Sequence, residues 1–93
     1  MYFDAHSDIW CDVTTRRLNG ETNVFDRCHL ERMRKGGVEG SIFVIWVDPP
    51  YDVDYVKRTE QIMAAAKAEI AECQSFRIVH TYDEMMKANA DGK

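Results

Sequence analysis

The stretch Ser41-Ile42-Phe43-Val44-Ile45-Trp46-Val47 does most to limit the folds open to this chain. After Ser41 the run is continuously apolar, and every member is β-branched or aromatic. That is the composition of a strand covered on both faces, as in a parallel sheet. A parallel strand needs a crossover connection, usually a helix, and helices to cover it. Lys35-Gly36-Gly37-Val38-Glu39-Gly40 precedes the run and Asp48-Pro49-Pro50 follows it. The glycines come after a helical pattern and before a strand, the wrong order for a phosphate-binding turn. They read as a helix end and a turn. Asp48, just before proline, reads as the start of another turn.

The flanking segments supply the helices. Val24 to Lys35 reads as one, with Phe25, Cys28 (or His29) and Met33 near one face and Leu30 beside them. Asn23 or Asp26 is placed to cap it. A long helix opens at Asp52 or Asp54 and runs to about Gln74. Its stripe of Tyr55, Ile62, Met63, Ala66, Ile70 and Cys73 is expected to pack on the sheet. Glu60, Lys67, Glu69 and Glu72 lie largely off that stripe. Phe76 to Val79 reads as a short extended piece. A last helix spans Asp83 to Asn89, with Thr81 or Tyr82-Asp83 at its start. The polar stretch Thr14 to Asn23 shows no apolar periodicity and reads as a long loop.

The first stretch, Tyr2-Phe3-Asp4-Ala5-His6-Ser7-Asp8, reads as a strand that carries the chemistry. Alternation puts Tyr2, Asp4, His6 and Asp8 on one face and Phe3, Ala5, Ser7 and Ile9 on the other. His6 and Asp8 then lie roughly 6.5–7 Å apart along the strand. With a local bend where the strand ends, an imidazole and a carboxylate so placed can share a divalent cation. In α/β folds the carboxyl ends of the strands are where sites are built.

Strand, helix, strand, helix, short strand, helix is a βαβ pattern, so the fold class is α/β with right-handed crossovers. At 93 residues the chain is one small domain at most. Two good strands and a weak one make an incomplete sheet. Residues 1–93 are therefore expected to form the opening section of a larger α/β fold, the next strand falling beyond Lys93. Apolar residues make up 45% and charged residues 30%, as in a soluble globular chain. The net charge of −4 gives no basic footprint for nucleic acid. Cys11, Cys28 and Cys73 are odd in number, far apart and without a C-x-x-C. They read as reduced thiols. No run reaches the roughly 18–20 apolar residues of a membrane span, and the start lacks the regions of a signal peptide. A cytoplasmic location is expected.

These stretches together resemble the membrane (renal) dipeptidase family of zinc peptidases, relatives of the amidohydrolases. Phe3-Asp4-Ala5-His6-Ser7-Asp8 is similar to its first metal-binding strand. Leu30 to Gly40, the strand Ser41–Val47, the long helix and Ile78 to Met85 continue the similarity along the whole chain. The resemblance implies a (β/α)8 barrel, which needs roughly 250 residues, and two zinc ions at the carboxyl ends of its strands. It implies His6 and Asp8 as the first two ligands, and a metal-bridged hydroxide that attacks the peptide bond of a dipeptide. Asp4 would orient His6 from one layer deeper, or serve as a plain hydrogen-bonding group. The family's bridging Glu, further His ligands and substrate-binding His, Arg and Asp belong to later strands. His29 and His80 read as ordinary helix and loop histidines. With two ligands, this chain alone is expected to bind zinc weakly and to cleave no peptide. The alternative reading is a non-catalytic α/β module whose unpaired edge works by homo-oligomerisation or by taking up a missing remainder. A stand-alone flavodoxin-like domain is disfavoured, because no glycine-rich turn follows the first strand.

Overall fold

The computed structural model describes residues 2–93. Two strands, β1 (Tyr2–Ser7) and β2 (Val38–Phe43), pair in parallel. Between them run the helix α1 (Ile9–Leu18), a π-helical turn (Phe25–His29) and the helix α2 (Leu30–Lys35). A 3-10 turn (Tyr51–Asp54) leads into the long helix α3 (Tyr55–Glu72), and α4 (Tyr82–Ala90) follows. The fold class is α/β, as expected. The helix after Gln74 starts as foreseen: Thr81 accepts the Glu84 N–H at 3.1 Å, and the Glu84 carboxylate reaches back to the His80 N–H at 2.6 Å.

Several elements differ from the sequence reading. Thr14 to Leu18 is helix, not loop. Trp10, Val13 and Thr14 are buried at helical spacing and Arg17 is largely so. Two of these inward positions are polar, which hid the period. Thr14 Oγ1 satisfies itself by donating to the Trp10 carbonyl at 2.7 Å. The second strand begins three residues earlier than expected and stops at Phe43, although Val44 N–H still donates to Ser7 O at 2.8 Å. It is not covered on both faces: Phe43 packs on the core, while Ile42 beside it is 53% exposed, and Ile45 and Trp46 beyond the strand are exposed as well. Residues 76–79 form no strand. On α3 the buried face is Arg58, Ile62, Ala65 and Glu69, continued by Cys73. Tyr55, Met63 and Ile70 from the expected stripe are exposed. The face turned with its buried charges: Glu69 finds partners on α1 and on the turn before α2, and Arg58 reaches α1 through Nη2.

The core sits between α1, α3 and β2. Trp10, Val13, Val24, Ile62 and Ala65 form its centre, with Cys28, Phe43, Val47, Ala66 and Phe76 against it. Four aromatic rings close a circuit: Trp10–Phe43 at 5.4 Å, Phe43–Phe25 at 6.0 Å, Phe25–Phe76 at 4.5 Å and Phe76–Trp10 at 6.3 Å between centroids. Tilted and edge-on pairs of this kind add to the area they bury. This cluster anchors β2 to α1, and so sets where the end of β1 lies.

Candidate metal site at the end of the first strand

The end of β1 is not a plain strand. Asp4 lies opposite Ser41 and Ser7 opposite Phe43, three residue steps on β1 against two on β2. The extra residue is a β-bulge, and it breaks the alternation read from the sequence. Asp4 and Ser7, not Asp4 and His6, are the half-buried pair, while Tyr2, Phe3, Ala5 and His6 are exposed. His6 sits in the bulge. Its main-chain N–H donates to Asp4 Oδ1 at 3.1 Å. Asp4 therefore acts on the backbone of His6 and not on its ring.

Asp8 is the next residue after the strand and the N-cap of α1, with φ −105° and ψ 29°. Its carbonyl accepts the Cys11 N–H at 3.1 Å, but its carboxylate takes no capping hydrogen bond among the described residues. His6 and Asp8 are both exposed at the carboxyl end of β1. Beside them, the Cys11 thiol donates to the Trp46 carbonyl at 3.1 Å. Burial pushes that thiol up, and the Asp48 and Asp8 carboxylates push it further, against the pull of Arg58. Asp48 is a turn residue, as read: its carbonyl accepts Tyr51 N–H at 2.9 Å.

Two buried charged residues of α3 brace the helices around the site: Arg58, which the sequence reading left out, and Glu69, which it placed off the buried stripe. Arg58 is buried and stacks 3.8 Å above the Tyr51 ring. Its Nη2 donates to the Cys11 carbonyl at 3.2 Å and to Thr15 Oγ1 at 3.1 Å. It thus ties α3 and the turn before it to the first turns of α1, the helix that Asp8 begins. Glu69, fully buried, accepts the N–H groups of Val24 and Phe25, each at 2.9 Å. Neither Asn23 nor Asp26 caps that helix; a carboxylate from α3 does. Burial acts to raise the Glu69 carboxyl. The bonds from Phe25, Val24, the Cys73 thiol and Arg17 outweigh it, and the group is held low. Arg17 also grips Glu72 through two bonds of 2.8 Å. The signal for Arg58 and Glu69 was present as helical spacing through Ile62 and Ala65. Its charged residues made it unreadable without their partners.

His29 and His80 stand apart from the site. His29 Nε2 lies 2.8 Å from Asp12 Oδ2, on the rim of a surface hollow of about 420 Å³. His80 is exposed beside Glu84. Among the described residues, no three His, Cys, Asp or Glu side chains are placed to hold a metal ion. An imidazole and a carboxylate suit zinc in kind, and they are two short of the usual four ligands in number. No helix of the described residues is long and apolar enough to cross a membrane.

Fold and site define an α/β chain whose first strand ends in an exposed histidine and aspartate. The family model described as Membrane dipeptidase (Peptidase family M19) matches residues 1–93, and the chain belongs to that family. It is thereby a member of a dipeptidase-type hydrolase family. No curated protein and no solved structure matches the chain.

Proposed function

We propose that residues 1–93 are the opening section of a zinc dipeptidase barrel, and that His6 and Asp8 are the first two ligands of its two-zinc site. The observation that supports this is the placement of both side chains. They are exposed together at the carboxyl end of β1, and the Asp8 carboxylate is not spent on capping the helix it begins. Zinc, when bound, acidifies water and polarises the scissile carbonyl of a dipeptide. The chain's own residues would hold one ion: His6 would offer a ring nitrogen from the bulge, and Asp8 an oxygen from the N-cap. Trp10 and Phe43 fix the backbone between them to the core, and Arg58 fixes the α1 turn that follows. The remaining ligands and the substrate-binding groups belong to further strands, so the 93-residue chain alone is inactive as a peptidase.

The test is native mass spectrometry of the purified chain with zinc added at micromolar to millimolar concentration. The expected result is weak 1:1 binding that disappears in His6→Ala and in Asp8→Ala, with both variants still folded by circular dichroism. Zinc retained in both variants would overturn the assignment. A second reading, association through the open sheet, is favoured by the exposure of Ile42, Ile45 and Trp46.

A further inference from the structure

We infer that Asp4 is a positioning residue: by accepting the His6 N–H it holds the β1 bulge that sets where His6 and Asp8 point. This deepens the reading of His6 and Asp8 as zinc ligands and rests on it. Among the described residues, neither Ala5 nor His6 has a partner residue across the strand pair. A bulge leaves such a residue outside the ladder, its N–H free to turn to water or to a nearby acceptor. Here the donor is taken up by the carboxylate two residues back, at 3.1 Å. Aspartate and asparagine make this i to i+2 contact because their side chains are short enough to fold onto their own backbone.

The bulge matters because side chains in a strand alternate. Removing the extra residue from the register would carry everything after it to the opposite face. Ser7 would leave the Phe43 side, and His6 in the bulge and the approach to the N-cap at Asp8 would be redirected with it. The ladder bond from Val44 N–H to Ser7 O, 2.8 Å, fixes the bulge on its far side. Asp4 fixes it on the near side. The half-buried Asp4 carboxylate is thus used on the main chain of a ligand residue, and what the role requires is an acceptor, not a charge.

That requirement separates this role from an ionic one toward the imidazole. The experiment is hydrogen exchange of the His6 amide by NMR in the 93-residue chain, with zinc affinity measured in parallel. In Asp4→Ala the His6 amide is expected to exchange faster by about tenfold, with zinc affinity lower by about tenfold. Amides of Val13 and Ile62 serve as controls for global stability. In Asp4→Asn both quantities stay within about twofold of the parent, because the amide oxygen replaces the carboxylate oxygen. Should Asp4→Ala unfold, Asp4→Glu carries the same expected losses, since it keeps the charge and displaces the acceptor. Unchanged His6 exchange in Asp4→Ala overturns the inference. So does an Asp4→Asn variant that loses as much zinc affinity as Asp4→Ala, or exchange that rises while zinc affinity holds. Absence of zinc binding in the parent chain counts against the metal assignment instead, and the exchange data then decide the bulge by themselves.

Discussion

At the scale of single residues, the carboxylates of α3 carry the heaviest demands. Glu69 closes the helix start at Val24 and Phe25, faces Arg17 at 2.9 Å and accepts from the Cys73 thiol at 3.2 Å. Glu69→Ala removes all four contacts, leaves two buried N–H groups open and strips Arg17 of one partner. We expect it to cost about 3 kcal/mol or more in urea unfolding; a loss under about 1 kcal/mol would mean the network is incidental. Glu72 beside it is held down to about 2, first by the hydrogen bonds from Arg17 and then by the Asn23 N–H. A carboxyl lowered in the folded state binds its proton more readily once unfolded. Its stabilisation is complete above the ordinary carboxylate range near pH 4.3 and is lost as the pH falls toward 2. Glu69, also held low, acts with the same sign. Stability measured from pH 6 down to pH 2.5 should therefore decline, and Glu72→Gln should flatten that decline. A level profile in the parent chain would refute the linkage.

At the scale of elements, the helix ends decide where the strands begin. α2 stops at Gly36, and Gly37 takes φ +74° to turn the chain into β2. A Cβ at Gly37 would also meet the Tyr2 ring at 3.1 Å. Gly20, after α1, has φ +89° with open space around it. Both positions sit where an L side chain is strained, by roughly 1 kcal/mol. Only Gly37 adds a crowded neighbour, on the strand that carries the site. Gly37→Ala should therefore lower the melting temperature more than Gly20→Ala does. Equal effects would mean that the Tyr2 ring moves aside freely.

At the scale of the whole molecule, the sheet is open. The described residues expose 6331 Å², whereas a compact monomer of this mass exposes roughly 5,500 Å². The difference, roughly 800 Å², is about one partner's share of a standard protein interface. Ile42, Ile45 and Trp46 on β2 and its continuation lie in that uncovered region, beside a parallel pair with free edges. Light scattering on the isolated chain should show an apparent mass that rises with concentration. Ile42→Lys should bring it back toward the monomer. A monomer at millimolar concentration would speak against the open face as an association surface.

The sequence by itself determined the α/β class, the parallel strand pair, the long helix opened at Asp52 or Asp54 and the last helix opened at Thr81 or Tyr82-Asp83, because each rests on local chemistry; the structure selects Asp54 and Thr81 as the caps. A run of β-branched and aromatic residues, a capping side chain and a glycine stop act over a few neighbours. The sequence also carried the family, through Asp4-Ala5-His6-Ser7-Asp8 and the Gly36-Gly37-Val38-Glu39-Gly40 turn. Tertiary structure alone decided the rest. α1 was masked because two of its inward positions are polar and are satisfied by contacts invisible along the chain. The face of α3 turned toward Arg58 and Glu69 because their partners, Cys11 O, Thr15, Val24, Phe25 and Arg17, stand between 43 and 52 positions away. The direction of His6 depends on one extra residue in a register that two separate strands set together. Alternation is a property of a single strand; a bulge is a property of a pair.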